Sequence, residues 1–235
     1  MKERTLDWDA PELACAMEDG ASAVGLLAQL YRKELDRETI DSLRAMRFPA
    51  HTGNDDSDKG ALALVTYLSG TGARAEEELA ADFTRVFLGS GLDSFSAAYP
   101  VESVHTGRKR LVMQGARDEV LAIYRSFGLE RLEGLKEGED HIAYELAFLQ
   151  FIMERTAKAC REGREAEVRQ LLETQRNFLD DHLLNWVPRF TEQMRFFSKT
   201  EFYRGLSYLT VGYLNDCSAL VDEALALVGS PVEGE

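Results

Sequence analysis

Glu137, Glu139, Asp140 and His141 stand within five residues of one another, and Glu145 follows one helical turn later. A histidine among carboxylates has its pKa raised toward the working range of general acid–base catalysis. The same segment offers a metal two oxygens and a nitrogen from Asp140, His141 and Glu145. Each of these chemistries requires partners elsewhere in the chain. A di-iron centre in a helical bundle takes two Glu-x-x-His pairs from separate helices, and the four histidines, His51, His105, His141 and His182, do not supply two. The Asp180-Asp181-His182 run is no recognised ligand spacing either, so no metal is expected.

Other chemistry is similarly unsupported. Ser103 lies near His105, but there is no G-x-S-x-G elbow. Gly70-Thr71-Gly72 has neither the spacing nor the lysine of a phosphate loop. Cys15, Cys160 and Cys217 are far apart and form no CxxC pair, which points to a reducing compartment. No catalytic residue is expected. The acidic segment reads instead as a binding element or as a cap at the N-terminus of a helix.

The elements that position it are helical. Ile142, Leu146, Leu149, Ile152 and Met153 recur at helical spacing, predicting a helix from near Glu139 to about Arg161. Before it, the apolar pattern predicts a helix after Pro11 carrying Leu13 to Tyr31, a shorter one over 38–46 and a third through Ala61 to Leu68. A fourth runs from Ala75 to about Leu88 and another from Arg108 to Phe127. Residues 89–106, with Pro100, Tyr99 and four serines, form the longest irregular connection, a length that marks a functional loop or a hinge. After Gly163 come a helix carrying Val168 to Leu179, a short one opened by Pro188 and a long one from Phe202 to Leu225 that stops at Gly229 and Pro231. No alternating β-branched run intervenes. The expected fold is all-α, a single-domain bundle of about nine helices over 1–235, with parts 1–128 and 139–235 joined by a hinge at 129–138.

The 235 residues hold 27 Lys+Arg against 41 Asp+Glu, a net charge of −14 that argues against nucleic acid as a partner. From Leu129 to Glu145 six acids face two bases. An acidic patch beside loop aromatics suits a peptide with basic residues followed by an apolar stretch. The N-terminus lacks the apolar core of a secretory signal, and no run approaches the ~20 apolar residues of a membrane span. The expected protein is soluble and cytoplasmic, without stable membrane insertion.

Several stretches resemble a known family. Glu137-Gly138-Glu139-Asp140-His141 is similar to the E-P-x-D-H motif of the TorD/DmsD family of molybdoenzyme-specific, redox enzyme maturation chaperones. Asp82-Phe83-Thr84-Arg85-Val86-Phe87-Leu88-Gly89, Tyr99-Pro100-Val101-Glu102-Ser103-Val104, and Phe178 to Trp186 agree in the expected order, and Phe202-Tyr203-Arg204-Gly205-Leu206 resembles the family's F-Y-x-x-L. The resemblance spans about residues 20–225. It implies an all-helical cytoplasmic chaperone that binds the twin-arginine signal peptide, or the precursor, of a molybdenum-containing oxidoreductase. It implies peptide contacts at Phe83, Val86, Phe87, Tyr99, Pro100, Ser103, Glu137, Glu139, Asp140 and His141, no catalytic residue, no metal, and a monomer or homodimer. Guanine nucleotide, associated with the family, is the one cofactor it admits, and a nucleotide-dependent maturation factor or a structural helical subunit are the alternative functions. Gly138 stands where the motif has proline, and His105 where relatives commonly have an aromatic residue.

Overall fold

The computed structural model describes residues 9–89, 96–107, 115–129 and 138–229. Asp9 accepts the backbone N–H of Glu12 at 3.1 Å and Pro11 fills the first turn, so α1 begins at Ala10 and runs to Arg32. It is followed by α2 (Arg37–Ala45), α3 (Asp55–Gly70), α4 (Ala75–Phe83), α5 (Glu102–Thr106) and α6 (Gly115–Ser126). The chain continues with α7 (Ile142–Arg161), α8 (Glu165–Phe178), α9 (Val187–Phe197) and α10 (Glu201–Val228). The fold is all-α, with an isolated antiparallel bridge between Val101 and His141 and no strand among the described residues.

Ten helices stand among the described residues, where about nine were expected. The addition is α5, inside the expected loop of 89–106. Its five residues carry no helical signal of their own, and its N-terminal donors are met by Asp140, 37 residues away. The helix expected over 108–127 is described from Gly115 onward, and its first part lies outside the described residues. Two helices end in a π-turn. α4 continues through Thr84–Leu88 and α8 through Leu179–Leu183, with Gly89 N–H donating to Thr84 O at 2.9 Å and Leu184 N–H to Leu179 O at 2.7 Å. A π-turn inserts one residue into the helical register and re-aims the side chains that follow it. Both lie in stretches that carried the family resemblance.

The core is built from two long helix pairs. α1 lies along α7, and α3 lies along α10. The second pair approaches closely because of glycine: a Cβ on Gly60 would stand 2.5 Å from Leu209 N, and one on Gly212 2.5 Å from Ser57 N. The interior contains Trp186, Tyr31, Tyr203, Phe87, Phe178, Phe190 and Phe202. No helix among the described residues is long and apolar enough to cross a membrane.

Candidate functional site

The segment before α7 and the segment before α5 are joined by a short set of backbone hydrogen bonds. Ile142 N–H donates to Pro100 O and Glu102 N–H donates to Asp140 O, both at 2.9 Å. Asp140 Oδ2 accepts from Ser103 N–H at 3.0 Å and from the Ser103 hydroxyl, so one buried carboxylate caps α5 from the other strand of the junction. His141 caps α7, its Nδ1 accepting the N–H of Ala143 at 3.2 Å, which puts the proton of the neutral ring on Nε2. Glu139, 5% exposed, meets the Nε of Arg117 from α6 at 2.5 Å, and the Tyr124 hydroxyl donates to its carbonyl at 3.3 Å. The Glu139 carboxylate holds the Arg117 guanidinium protonated, moving its pKa up.

Behind this junction lies a buried polar cluster. Glu102 on α5 places Oε2 3.1 Å from Nδ1 of His182 and Oε1 3.4 Å from Nδ2 of Asn185. Glu145 on α7, fully buried, accepts the indole N–H of Trp186 at 3.1 Å through Oε2, while its Oε1 makes no hydrogen bond among the described residues. Burial pushes the Glu145 carboxyl well above the usual carboxylate range, and the charges of Glu102 and Asp140 push it further. Trp186 also donates to His182 O at 2.6 Å. His105 fills an aromatic's place: its ring stacks on Trp186 at 5.1 Å and meets Phe190 edge-on at 5.8 Å, and its Nε2–H donates to Tyr99 O at 2.8 Å. The departure of His105 from the resemblance is therefore a ring-for-ring replacement with one added hydrogen bond.

The first motif is anchored elsewhere in the core. Asp82, 1% exposed, accepts from Lys199 N–H at 3.0 Å, from Thr200 N–H and Oγ1 at 2.7 Å each, and from Arg85 at 2.5 Å. It thereby fixes the start of α10 to the end of α4. Phe83 and Phe87 pack on each other at 4.9 Å and, with Tyr31, Tyr203 and Phe190, form an aromatic core.

The implied contact residues thus fall into two groups. Phe83, Val86 and Phe87 are buried in the aromatic core, whereas Pro100, Ser103, Glu139, Asp140 and His141 are buried at the junction with Tyr99 half-buried beside them. Phe190 and His105 link the groups through ring contacts, and Ala98 N–H donates to Val86 O at 2.7 Å. Glu137 lies outside the described residues. Asp140 is an interior cap rather than part of a surface patch. The structure adds Arg117, Glu102, Glu145, His182 and Trp186 to the site. Glu102, His182 and Trp186 each sit in a stretch that carried the resemblance, but only the fold shows that they meet.

A family model described as the nitrate reductase delta subunit matches residues 54–192, more than half of the chain. The chain belongs to this family. The chaperone protein TorD of Vibrio parahaemolyticus is 30% identical over 208 residues, covering 86% of this chain and 94% of that protein. The chaperone protein TorD of Vibrio cholerae is 29% identical over 218 residues, covering 90% and 96%, and that of Photobacterium profundum is 30% identical over 151 residues, covering 63% and 67%. The family is that of the TorD-type chaperones, as the ordered motifs imply, and its members are non-catalytic.

Proposed function

We propose that the chain is a maturation chaperone that holds the precursor of a molybdenum-containing oxidoreductase in the cytoplasm, binding its twin-arginine signal peptide before export. The observation that carries this reading is the junction of α5 and α7, where Gly138 to His141 are built into the fold and Glu139 already engages a guanidinium at 2.5 Å. A leader peptide with a basic start and an apolar core has the complementary chemistry: its arginines face Glu139 and Asp140, and its apolar part takes aromatic surface near Tyr99 and the end of the first motif. Burial of the junction implies that binding rearranges its edge, where Arg117 covers Glu139.

Titration calorimetry with twin-arginine and matched twin-lysine peptides tests this reading. The wild type is expected to bind the arginine peptide in preference, and Glu139→Gln and Asp140→Asn/His141→Ala to bind it more weakly while remaining folded by circular dichroism. Equal affinity of the wild type and both variants would remove these residues from the site.

A further inference from the structure

We propose that Gly138, Glu139 and Asp140 form a guanidinium slot, occupied here by the chain's own Arg117, and that an arginine of the client enters by displacing it. This rests on the reading of the chain as a chaperone for an arginine-bearing segment, and it specifies the exchange by which that segment binds.

Three features converge on the slot. First, it holds a guanidinium: Arg117 Nε meets Glu139 Oε2 at 2.5 Å, with side-chain exposures of 28% and 7% respectively. The guanidinium is the more exposed partner of the pair. Second, Asp140 is fully buried and uses only Oδ2 for Ser103, and its Oδ1 makes no hydrogen bond among the described residues. A buried carboxylate oxygen without a donor is costly, and a ligand N–H would recover that cost. Third, Gly138 lets that oxygen lie against the backbone. A Cβ at residue 138 would stand 2.7 Å from Asp140 Oδ1 and 3.9 Å from Arg117 Cδ, so the unpaired oxygen and the arginine stem both border this glycine. A proline, as in the family motif, would press on the oxygen; the glycine of this chain leaves it in place.

The chemistry selects arginine over lysine. A planar guanidinium presents five N–H donors and can address two carboxylates at once, while an ammonium is a compact and more strongly hydrated point charge. Arg117 is also cheaply displaced. Of the 12 residues of α6 only Val120 and Tyr124 are buried, and Arg117 is held to Glu139 by its side chain alone. Asp118, its other acidic neighbour at 3.9 Å, is 80% exposed and offers the displaced guanidinium a solvated partner.

The test is chemical rescue combined with peptide titration. Arg117→Ala is melted with and without millimolar ethylguanidinium or ethylammonium. Ethylguanidinium is expected to raise the midpoint of the variant by about 2 °C more than ethylammonium does, and to leave the wild type unchanged. In titrations, Arg117→Ala is expected to bind the twin-arginine peptide about tenfold more tightly than the wild type, because no internal competitor remains, with little change for twin-lysine. Gly138→Ala, whose methyl group displaces Asp140 Oδ1, is expected to weaken arginine-peptide binding. Should Arg117→Ala not fold, Arg117→Gln carries the same measurements. Rescue without peptide binding by any form leaves the slot standing and removes the proposed client. Peptide binding that is equal in wild type and variant, with no rescue, keeps the client and overturns the slot.

Discussion

Glu145 is the residue whose role depends most on its surroundings. On a surface it would be an ordinary carboxylate, but burial and the nearby Glu102 and Asp140 favour its protonated form. Because its pKa in the folded chain lies above that in the unfolded chain, folding binds a proton. The stability from this proton is fully present below the unfolded carboxylate value and is lost as pH rises through the folded one. Glu145→Gln, which mimics the neutral acid, is expected to match the wild type at pH 4 and to exceed it in urea midpoint at pH 7 to 8, with a flatter dependence between. A parallel pH dependence for the two proteins would show that Glu145 is not the group responsible. His105 shows the same lesson: the ring stacked on Trp186 is what the site requires, and a histidine supplies it.

Among the elements, α10 and its partners carry predictions of stability. Asp82 receives four donors, three of them from the residues that open α10, so it works as a cap supplied from another helix. Asp82→Ala is expected to cost about 3 kcal/mol in urea unfolding, since it strands partly buried N–H groups as well as removing an anion near a helix N-terminus. Thr200→Ala alone, which leaves Asp82 in place, should cost about 1 kcal/mol. Equal losses for the two variants would show that Asp82 is not the main anchor. At the α3–α10 seam, Gly60→Ala forces a methyl group against the backbone of Leu209 and is expected to cost about 2 kcal/mol, read in the same way. The phenylalanines expected to touch peptide at the end of α4 are core residues in this state. Their helical spacing showed that they face a partner, and spacing has no means of saying whether that partner is the chain itself.

For the whole molecule, the pairing of α1 with α7 and of α3 with α10 joins early and late parts of the chain across the 129–138 connection. The net charge of −14 surrounds these pairs with a field that attracts basic segments from a distance. Association with an arginine peptide is accordingly expected to slow by about tenfold between ~50 and ~500 mM salt in stopped-flow measurements, with a smaller change in dissociation. An association rate that ignores salt would confine the electrostatics to direct contacts at the slot.

The sequence by itself determined the all-helical class, most helix positions, the stops at Gly163 and Gly229, and the family, because these depend on local periodicity, caps and ordered motifs that any reading of the chain contains. The tertiary structure alone decided what those motifs do together. Only it shows that α5 exists because Asp140 caps it, that Glu102 faces His182, and that Arg117 sits on Glu139. Each of these contacts joins residues 22 to 80 positions apart. Pairings at that range are fixed by the packing of helices, which brings polar groups together out of water and makes each one's partner a condition of the other's burial.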